Sequence, residues 1–236
     1  MTTDRADSPA PTLDHLAVLA GLQADFLATI PLVDPAARVP WCGRWRVTDL
    51  VVHLARIHHW AASQARRRQE TPLGRGPFVL VDLYRGCAAE LLGTLEDLGP
   101  DAAAWTLDGN GSASFWHRRQ THETLVHLWD LRTAGGLDLD VGAAVWADTV
   151  DEVVTVMHPR QVRLGRVDAP TTAIALVAED ADRSWVVGAG PASVTVSGPA
   201  WALALLLWGR PVAPGSLTVV GDRAALDDAL ARGLTP

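Results

Sequence analysis

The chain has 236 residues, of which 48% are hydrophobic, enough to form the core of one large domain or two small ones. Its 20 basic and 27 acidic residues give a formal charge of -7, which argues against general binding to nucleic acid or to an anionic membrane. Every basic residue is arginine, which excludes a lysine general base, Schiff-base chemistry and a phosphate-binding loop built around lysine.

The cysteine content and the apolar runs bear on the compartment. The two cysteines, Cys42 and Cys87, are too few for a disulfide scaffold, which favours a reducing compartment. The first residues lack the basic and apolar stretches of a secretory signal, and the longest uninterrupted apolar run, Ala200–Trp208, is too short to span a bilayer. We therefore expect a cytoplasmic protein that does not contact membranes.

The first half of the chain has the pattern of a helix bundle. Apolar residues recur at helical spacing over 12–30, 47–69, 78–99 and 114–136. Thr48 is the expected N-cap of the second helix, and Ser114 is a possible cap of the fourth. Four long helices joined by loops predict a four-helix bundle.

The second half changes in character. A fifth helix is predicted over 143–159, and three short segments rich in β-branched residues then predict strands of an antiparallel sheet over 171–180, 183–190 and 193–198. A helix over 199–210, a strand over 216–222 and a helix over 223–232 complete the chain. The fold class is therefore an α-helical bundle, residues 1–162, followed by a small α+β domain, residues 163–236.

Three residues of the bundle form a candidate metal site. Glu123 and His127 are four residues apart, so a helix brings both to one face. They share a stripe with Trp116, Gln120 and Asp130 that is typical of a surface facing a cavity or water. His53 lies on the apolar stripe of the second helix, where it is either a core histidine or a third ligand from a facing helix.

Two imidazoles and one carboxylate leave coordination positions open, as in catalytic metal sites. The set suits Zn²⁺ and also non-haem Fe²⁺, so the ligands alone do not identify the metal. Asp130 is expected either to orient a ligand or to form a surface ion pair with an arginine. Cys42 lacks an activating histidine nearby in the sequence, and His122 points away from Glu123, so neither is expected to take part.

Three stretches of the sequence resemble one family. They are VPWCGRWRVTDLVVHLARIHHW, HRRQTHETLVHLWDL and LLLWGRPV with the later LTVVGD. Together they resemble the mycothiol-dependent maleylpyruvate isomerase family, a branch of the DinB-like bundles common in actinobacteria. The resemblance implies a DinB-like four-helix bundle that binds one Zn²⁺ through His53, Glu123 and His127. It also implies a smaller C-terminal domain of sterol-carrier-like shape, whose best match to the family's catalytic arginine is Arg210.

The resemblance also implies an activity. Mycothiol, a low-molecular-weight thiol, is expected to be held as thiolate by the metal and to add to the double bond of a maleylpyruvate-like substrate. Rotation about the resulting single bond and loss of the thiolate give the trans isomer, with Arg210 holding a substrate carboxylate.

Three other functions stay open at this point. The same thiolate serves S-transfer to another electrophile, a metal-activated water would make a hydrolase, and a bundle without catalysis would be a metal-binding protein. The expected partners are a small thiol and a small electrophile, without nucleic acid or membrane, and the protein is expected to be a monomer or a homodimer.

Overall fold

The computed structural model of the chain describes residues 13–235. The N-terminal residues considered above for a secretory signal therefore lie outside the described residues. The four long helices of the first half are α1 (His15–Thr29), α2 (Val47–Ala65), α3 (Leu80–Leu98) and α4 (Ser114–Ala134). Helix α1 packs along α4, and α2 packs along α3 and α4, so the predicted four-helix bundle is confirmed.

Local hydrogen bonds define where two of these helices begin. Asp14 caps α1 by accepting a hydrogen bond from the backbone N–H of Ala17. The predicted N-cap of α2, Thr48, was wrong by two residues, because the helix begins at Val47 and its N-cap is Arg46. Instead of capping the helix, the Thr48 hydroxyl donates to the carbonyl of Pro35. This hydrogen bond ties α2 to the loop that precedes it.

A short hairpin between α3 and α4 was not predicted from the sequence. Strands β1 (Ala103–Thr106) and β2 (Gly109–Ser112) pair antiparallel, although two of the four residues in β2 are glycine and give little strand signal. Gly109 has a φ of +102°, which few other residues tolerate at a hairpin turn. The hairpin places Leu107 beside the bundle, at the cavity described below.

The second half begins with a nearly continuous helical segment and continues as an α+β unit. Helix α5 (Ala143–Glu152) passes through a π-helical turn, Val153–Met157, into α6 (His158–Arg163). The strands are β3 (Ala173–Ala178), β4 (Arg183–Val187), β5 (Ala192–Gly198) and β6 (Thr218–Gly221), and the helices are α7 (Ala200–Leu207) and α8 (Arg223–Arg232). The predicted fold class is confirmed.

The sheet has the strand order β4-β3-β5-β6. The pairs β3–β4 and β5–β6 are antiparallel, as predicted, whereas the central pair β3–β5 is parallel. Strand β4 follows β3 by a short turn and occupies one edge of it, so β5 pairs with the other edge and runs in the same direction as β3. The pattern of short strands in the sequence did not indicate this parallel pair.

One hydrophobic core joins the two halves of the chain. Its buried residues include Leu54 and Leu128 of the bundle together with Val196 and Leu203 of the second half. The two halves therefore meet along apolar side chains, and within the second half α5 packs against α7. The division at residue 162 stays a prediction.

One segment of the described chain, His15–Leu32, is long and apolar enough to cross a membrane, with a mean hydropathy of 1.4. It contains α1, which packs against α4 and α3 as a core helix of the bundle does. A single segment of this kind near the N-terminus is weak evidence of a membrane span, because core helices have the same composition. The cytoplasmic location stays a prediction.

Candidate metal centre

The structure brings the three predicted metal ligands together. His53 lies in the second turn of α2, and Glu123 and His127 lie one turn apart on α4, which packs against α2. The Nε2 atoms of His53 and His127 are 3.4 and 3.2 Å from the same oxygen, Oε1 of Glu123. Ligand atoms from the three residues all lie within 4.8 Å of one another.

This donor set fits a small divalent ion. Ligands bound at about 2.0–2.2 Å in tetrahedral geometry lie about 3.3–3.6 Å from one another, close to the two distances in the cluster. His53 is the most accessible of the three, with 30% of its side chain exposed, whereas 6% of His127 is exposed. The cluster is therefore open on the His53 side and closed behind His127.

Asp130 fixes the orientation of His127. Its Oδ2 atom lies 2.9 Å from Nδ1 of His127, an arrangement that keeps the proton on Nδ1 and leaves the Nε2 lone pair for a metal. The same carboxylate accepts hydrogen bonds from Trp41 Nε1 at 2.6 Å and from Nε and Nη2 of Arg210 at 3.1 and 2.7 Å. Asp130 is fully buried, so these donors replace water around its charge.

Arg119 holds the other ligand of α4. Its guanidinium forms one ion pair with Oε2 of Glu123 and another with Glu152 at the end of α5. Because Oε2 is held by Arg119, Oε1 of Glu123 is the atom that faces the two histidines. The guanidinium also lies over the ring of Trp208, 5.2 Å from its centroid, and that of Arg210 lies 5.8 Å from the same centroid.

These contacts set the charges of the site. Burial alone would raise the pKa of Glu123, but Arg119 and the two histidines outweigh it and hold that pKa well below its usual range. Burial would lower the pKa of His127, yet its hydrogen bonds to Asp130 and Glu123 raise it to about 9. Burial dominates at Glu152, where two carboxylates share one guanidinium, and raises its pKa to about 7.

The cluster opens into a cavity of about 510 Å³ between the bundle and the second half of the chain. Most of its wall is apolar, and five tryptophans contribute to it: Trp41, Trp45, Trp60, Trp116 and Trp208. The Trp45 ring packs on His53 with 4.7 Å between centroids, and the unpredicted hairpin adds Leu107. The predicted stripe on α4 therefore faces a cavity over its first three turns, whereas Asp130 lies behind the wall.

The remaining candidates from the sequence lie apart from the ligands or are inactive. His58 and His59 of α2 are both buried, His58 against Gln120 and His59 against Glu90. His122 is also buried and contacts Asp148 and Thr149, as expected for a packing residue. Cys42 lines the cavity, but burial and Asp130 raise its pKa to about 11, which leaves a poorly nucleophilic thiol.

Arg210 lies at the cavity beside the ligands, where the resemblance implied a catalytic arginine. Its role stays a prediction. Sequence reasoning missed Arg119, Glu152 and Trp208. The spacing of four residues between Arg119 and Glu123 was a usable signal for an ion pair on α4, whereas nothing near Glu152 in the sequence indicated its partner.

Comparison with known families assigns both halves of the chain. The family model of the mycothiol maleylpyruvate isomerase N-terminal domain matches residues 17–132, and that of the C-terminal domain of the same isomerase matches residues 144–228. No curated protein sequence matches the chain significantly.

Two solved structures share the fold. The crystal structure of a histidine-to-alanine mutant of the mycothiol-dependent maleylpyruvate isomerase has 16% sequence identity and a TM-score of 0.69. The structure of the isomerase without that mutation has 17% identity and a TM-score of 0.65. Each alignment covers 89% of this chain and 93% of the other. With family models matched in both halves, the chain belongs to the mycothiol-dependent maleylpyruvate isomerase family.

Proposed function

We propose that the protein is a zinc-dependent enzyme that uses mycothiol as a thiolate nucleophile, with His53, Glu123 and His127 as metal ligands. The observation that carries this proposal is the cluster of two histidine Nε2 atoms around Glu123 Oε1, open to a cavity. The names of the matching family and of the two similar structures support the choice of thiol. The same ligands also suit Fe²⁺, so the identity of the metal as zinc is itself part of the proposal.

The protein's own residues prepare the site for a thiol. A divalent ion, when bound, supplies the positive charge that lowers the pKa of a coordinated thiol. Asp130 keeps the Nε2 atom of His127 free, and Arg119 turns Oε1 of Glu123 toward the histidines. The tryptophans around the cavity give it a mostly apolar wall, which favours a weakly hydrated and therefore more nucleophilic sulfur.

The first chemical step is addition of the sulfur to an electrophilic carbon. For a cis-enedioate such as maleylpyruvate, rotation about the carbon–carbon bond that was the double bond, followed by expulsion of the thiolate, gives the trans isomer. For other electrophiles the same addition ends as S-transfer, which is the second candidate. Both arginines of the cavity are already paired with carboxylates of the protein, which favours this second candidate.

Metal content tests the first half of the proposal. We expect the purified protein to hold one divalent ion per chain, His53→Ala and Glu123→Gln to lose it, and His15→Ala to keep it. His15 is the matched control, because it belongs to a second histidine and carboxylate cluster with His122 and Asp148. Equal metal content in all four proteins would contradict the assignment of the ligands.

Thiol binding tests the second half. With Co²⁺ in place of the native ion, added mycothiol is expected to produce a sulfur-to-metal absorption band. An unchanged spectrum at saturating mycothiol, together with turnover of an activated ester, would favour a hydrolase instead. A protein that keeps its metal but shows neither result would be a binding protein.

A further inference from the structure

Both arginines of the cavity are already neutralised by the protein's own carboxylates. Arg210 uses the Nε and Nη2 edge of its guanidinium for Asp130, and its Nη1 donates to the carbonyl of Trp208 at 2.7 Å. Asp130 has no exposed surface and is also held by Trp41 and His127. A substrate carboxylate would have to displace this buried carboxylate to reach the edge of the guanidinium that binds in a bidentate manner.

Arg119 is engaged in the same way. It is 4% exposed and lies between Glu123 and Glu152, with the face of its guanidinium over Trp208. Within residues 13–235, Arg119 and Arg210 are the only arginines in the cavity wall. The wall therefore offers no free guanidinium for a second anion.

The charges around the cluster leave little room for a doubly charged ligand. With all three carboxylates ionised and His127 neutral, as metal binding requires, Glu123, Asp130 and Glu152 exceed the two arginines by one negative charge. A divalent ion reverses the balance to one positive charge, and a bound thiolate cancels it. A dicarboxylate would then add two uncompensated charges inside a mostly apolar cavity, which is a costly environment for an ion.

The size and lining of the cavity suit an apolar group such as an aromatic ring. Five tryptophans contribute to its wall, together with Ile57, Leu107 and Met157. The cavity of about 510 Å³ exceeds the size that accepts a benzene ring, about 150 Å³, by enough to hold a thiol and an aromatic group together. Offset stacking and edge contacts on indole rings stabilise aromatic ligands beyond their buried area.

We infer that the substrate of this protein is an electrophile with an aromatic or other flat apolar group and at most one negative charge, and not a dicarboxylate. This inference rests on the proposed function, because it concerns the partner of the thiol in the same cavity. It assigns Arg119 and Arg210 as positioning residues for Glu123 and, through Asp130, for His127, instead of as binders of substrate carboxylates.

The reaction balances for both kinds of electrophile. In a substitution, the thiolate forms the C–S bond and the leaving group departs with the electron pair of the broken bond. In an addition to an activated double bond, the π electrons move to the α-carbon or its carbonyl oxygen, which takes a proton from water. The thiol proton passes to solvent when the thiolate forms, so neither route needs an oxidant or a reductant.

Binding of two related cis compounds tests the inference without turnover. N-phenylmaleamate carries one carboxylate and a phenyl ring, whereas maleate carries two carboxylates. Calorimetric titration of the metal-loaded protein without thiol, and of the metal-free protein, is expected to give at least tenfold tighter binding of N-phenylmaleamate in both forms. Equal or tighter binding of maleate, or no binding of either compound, would overturn the inference.

A single substitution should shift this preference. Glu152→Gln removes one of the two carboxylates that neutralise Arg119, so we expect maleate to bind at least threefold more tightly than to the unsubstituted protein. Asp151→Asn is the matched control, since Asp151 precedes Glu152 and pairs with Arg118 and Arg183 away from the cavity wall. Equal maleate affinity in the two variants would contradict the role given to Glu152.

The outcome separates the two proposals. If Co²⁺ protein shows the thiolate band with mycothiol but binds maleate more tightly, the proposed function stands and the substrate class is wrong. If N-phenylmaleamate is preferred but no metal or thiol binds, the cavity has the inferred selectivity and the proposed chemistry is wrong. Turnover of both compounds with mycothiol then ranks them by kcat/KM.

Discussion

Replacement of Asp130 by asparagine is expected to weaken both the fold and the metal centre. Asp130 has no exposed surface and accepts hydrogen bonds from Trp41, His127 and Arg210. Asparagine keeps the shape but removes the charge, which leaves the mostly buried guanidinium of Arg210 unpaired. Loss of one partner from a buried ion pair costs about 3–5 kcal/mol, and loss of the carboxylate behind a histidine ligand lowers metal affinity about 10–100-fold.

The assay compares Asp130, a buried carboxylate of α4, with Asp148, a half-buried carboxylate of α5. Asp148→Asn removes a carboxylate that accepts from His122 at 2.8 Å and from Arg118 at 2.9 and 3.0 Å, outside the proposed ligand set. We expect Asp148→Asn to lower the free energy of unfolding in urea without changing the affinity for Zn²⁺. Asp130→Asn should lower both quantities, with the affinity measured by competition against a chelator.

Two results would contradict these expectations. If Asp130→Asn and Asp148→Asn change the Zn²⁺ affinity equally, the hydrogen bond from His127 to Asp130 does not orient a metal ligand. If Asp130→Asn retains full stability, Arg210 finds another partner in the variant, and the ion pair between Asp130 and Arg210 contributes little to the free energy of unfolding.

Three further predictions concern stability. Burial lowers the pKa of His58 to about 4, below the value near 6.5 of the unfolded chain. The contribution of neutral His58 to the free energy of unfolding is therefore complete above pH 6.5 and falls by about 3 kcal/mol as the pH drops to 4. His58→Gln should flatten this pH dependence in urea unfolding. Leu54→Ala in the fully buried core should cost about 2–5 kcal/mol, whereas the same change at exposed Leu32 should cost much less. Gly221→Ala should lower the melting temperature more than Gly215→Ala, because both glycines have positive φ but only at Gly221 would a Cβ overlap the carbonyl oxygen of Ser193.

The parts of the structure that follow from local spacing could be predicted from the sequence. The helical period placed Glu123 and His127 on one face of α4, and the apolar stripe of α2 placed His53 inside the bundle, as either a core histidine or a third ligand. Both inferences need only neighbours within a few turns of a helix. The four helices of the bundle and the strands of the second half follow from the same kind of pattern.

The parts that depend on distant residues could not be predicted. The partner of Arg119, Glu152, is 33 positions away, and that of Arg210, Asp130, is 80 positions away. The resemblance implied that Arg210 belongs to the site, but not that its guanidinium already forms an ion pair with Asp130. The selectivity of the cavity depends on these pairings, so it emerges only from the folded chain.

Because Trp208 lies late in the sequence, it is synthesised after the three proposed metal ligands. Its ring lies under the guanidiniums of Arg119 and Arg210, and it forms part of the cavity wall near the end of α7. His53, Glu123 and His127 all leave the ribosome before Trp208, because synthesis proceeds from the N-terminus. The three proposed metal ligands are therefore synthesised before the residues that complete the wall of the cavity beside them.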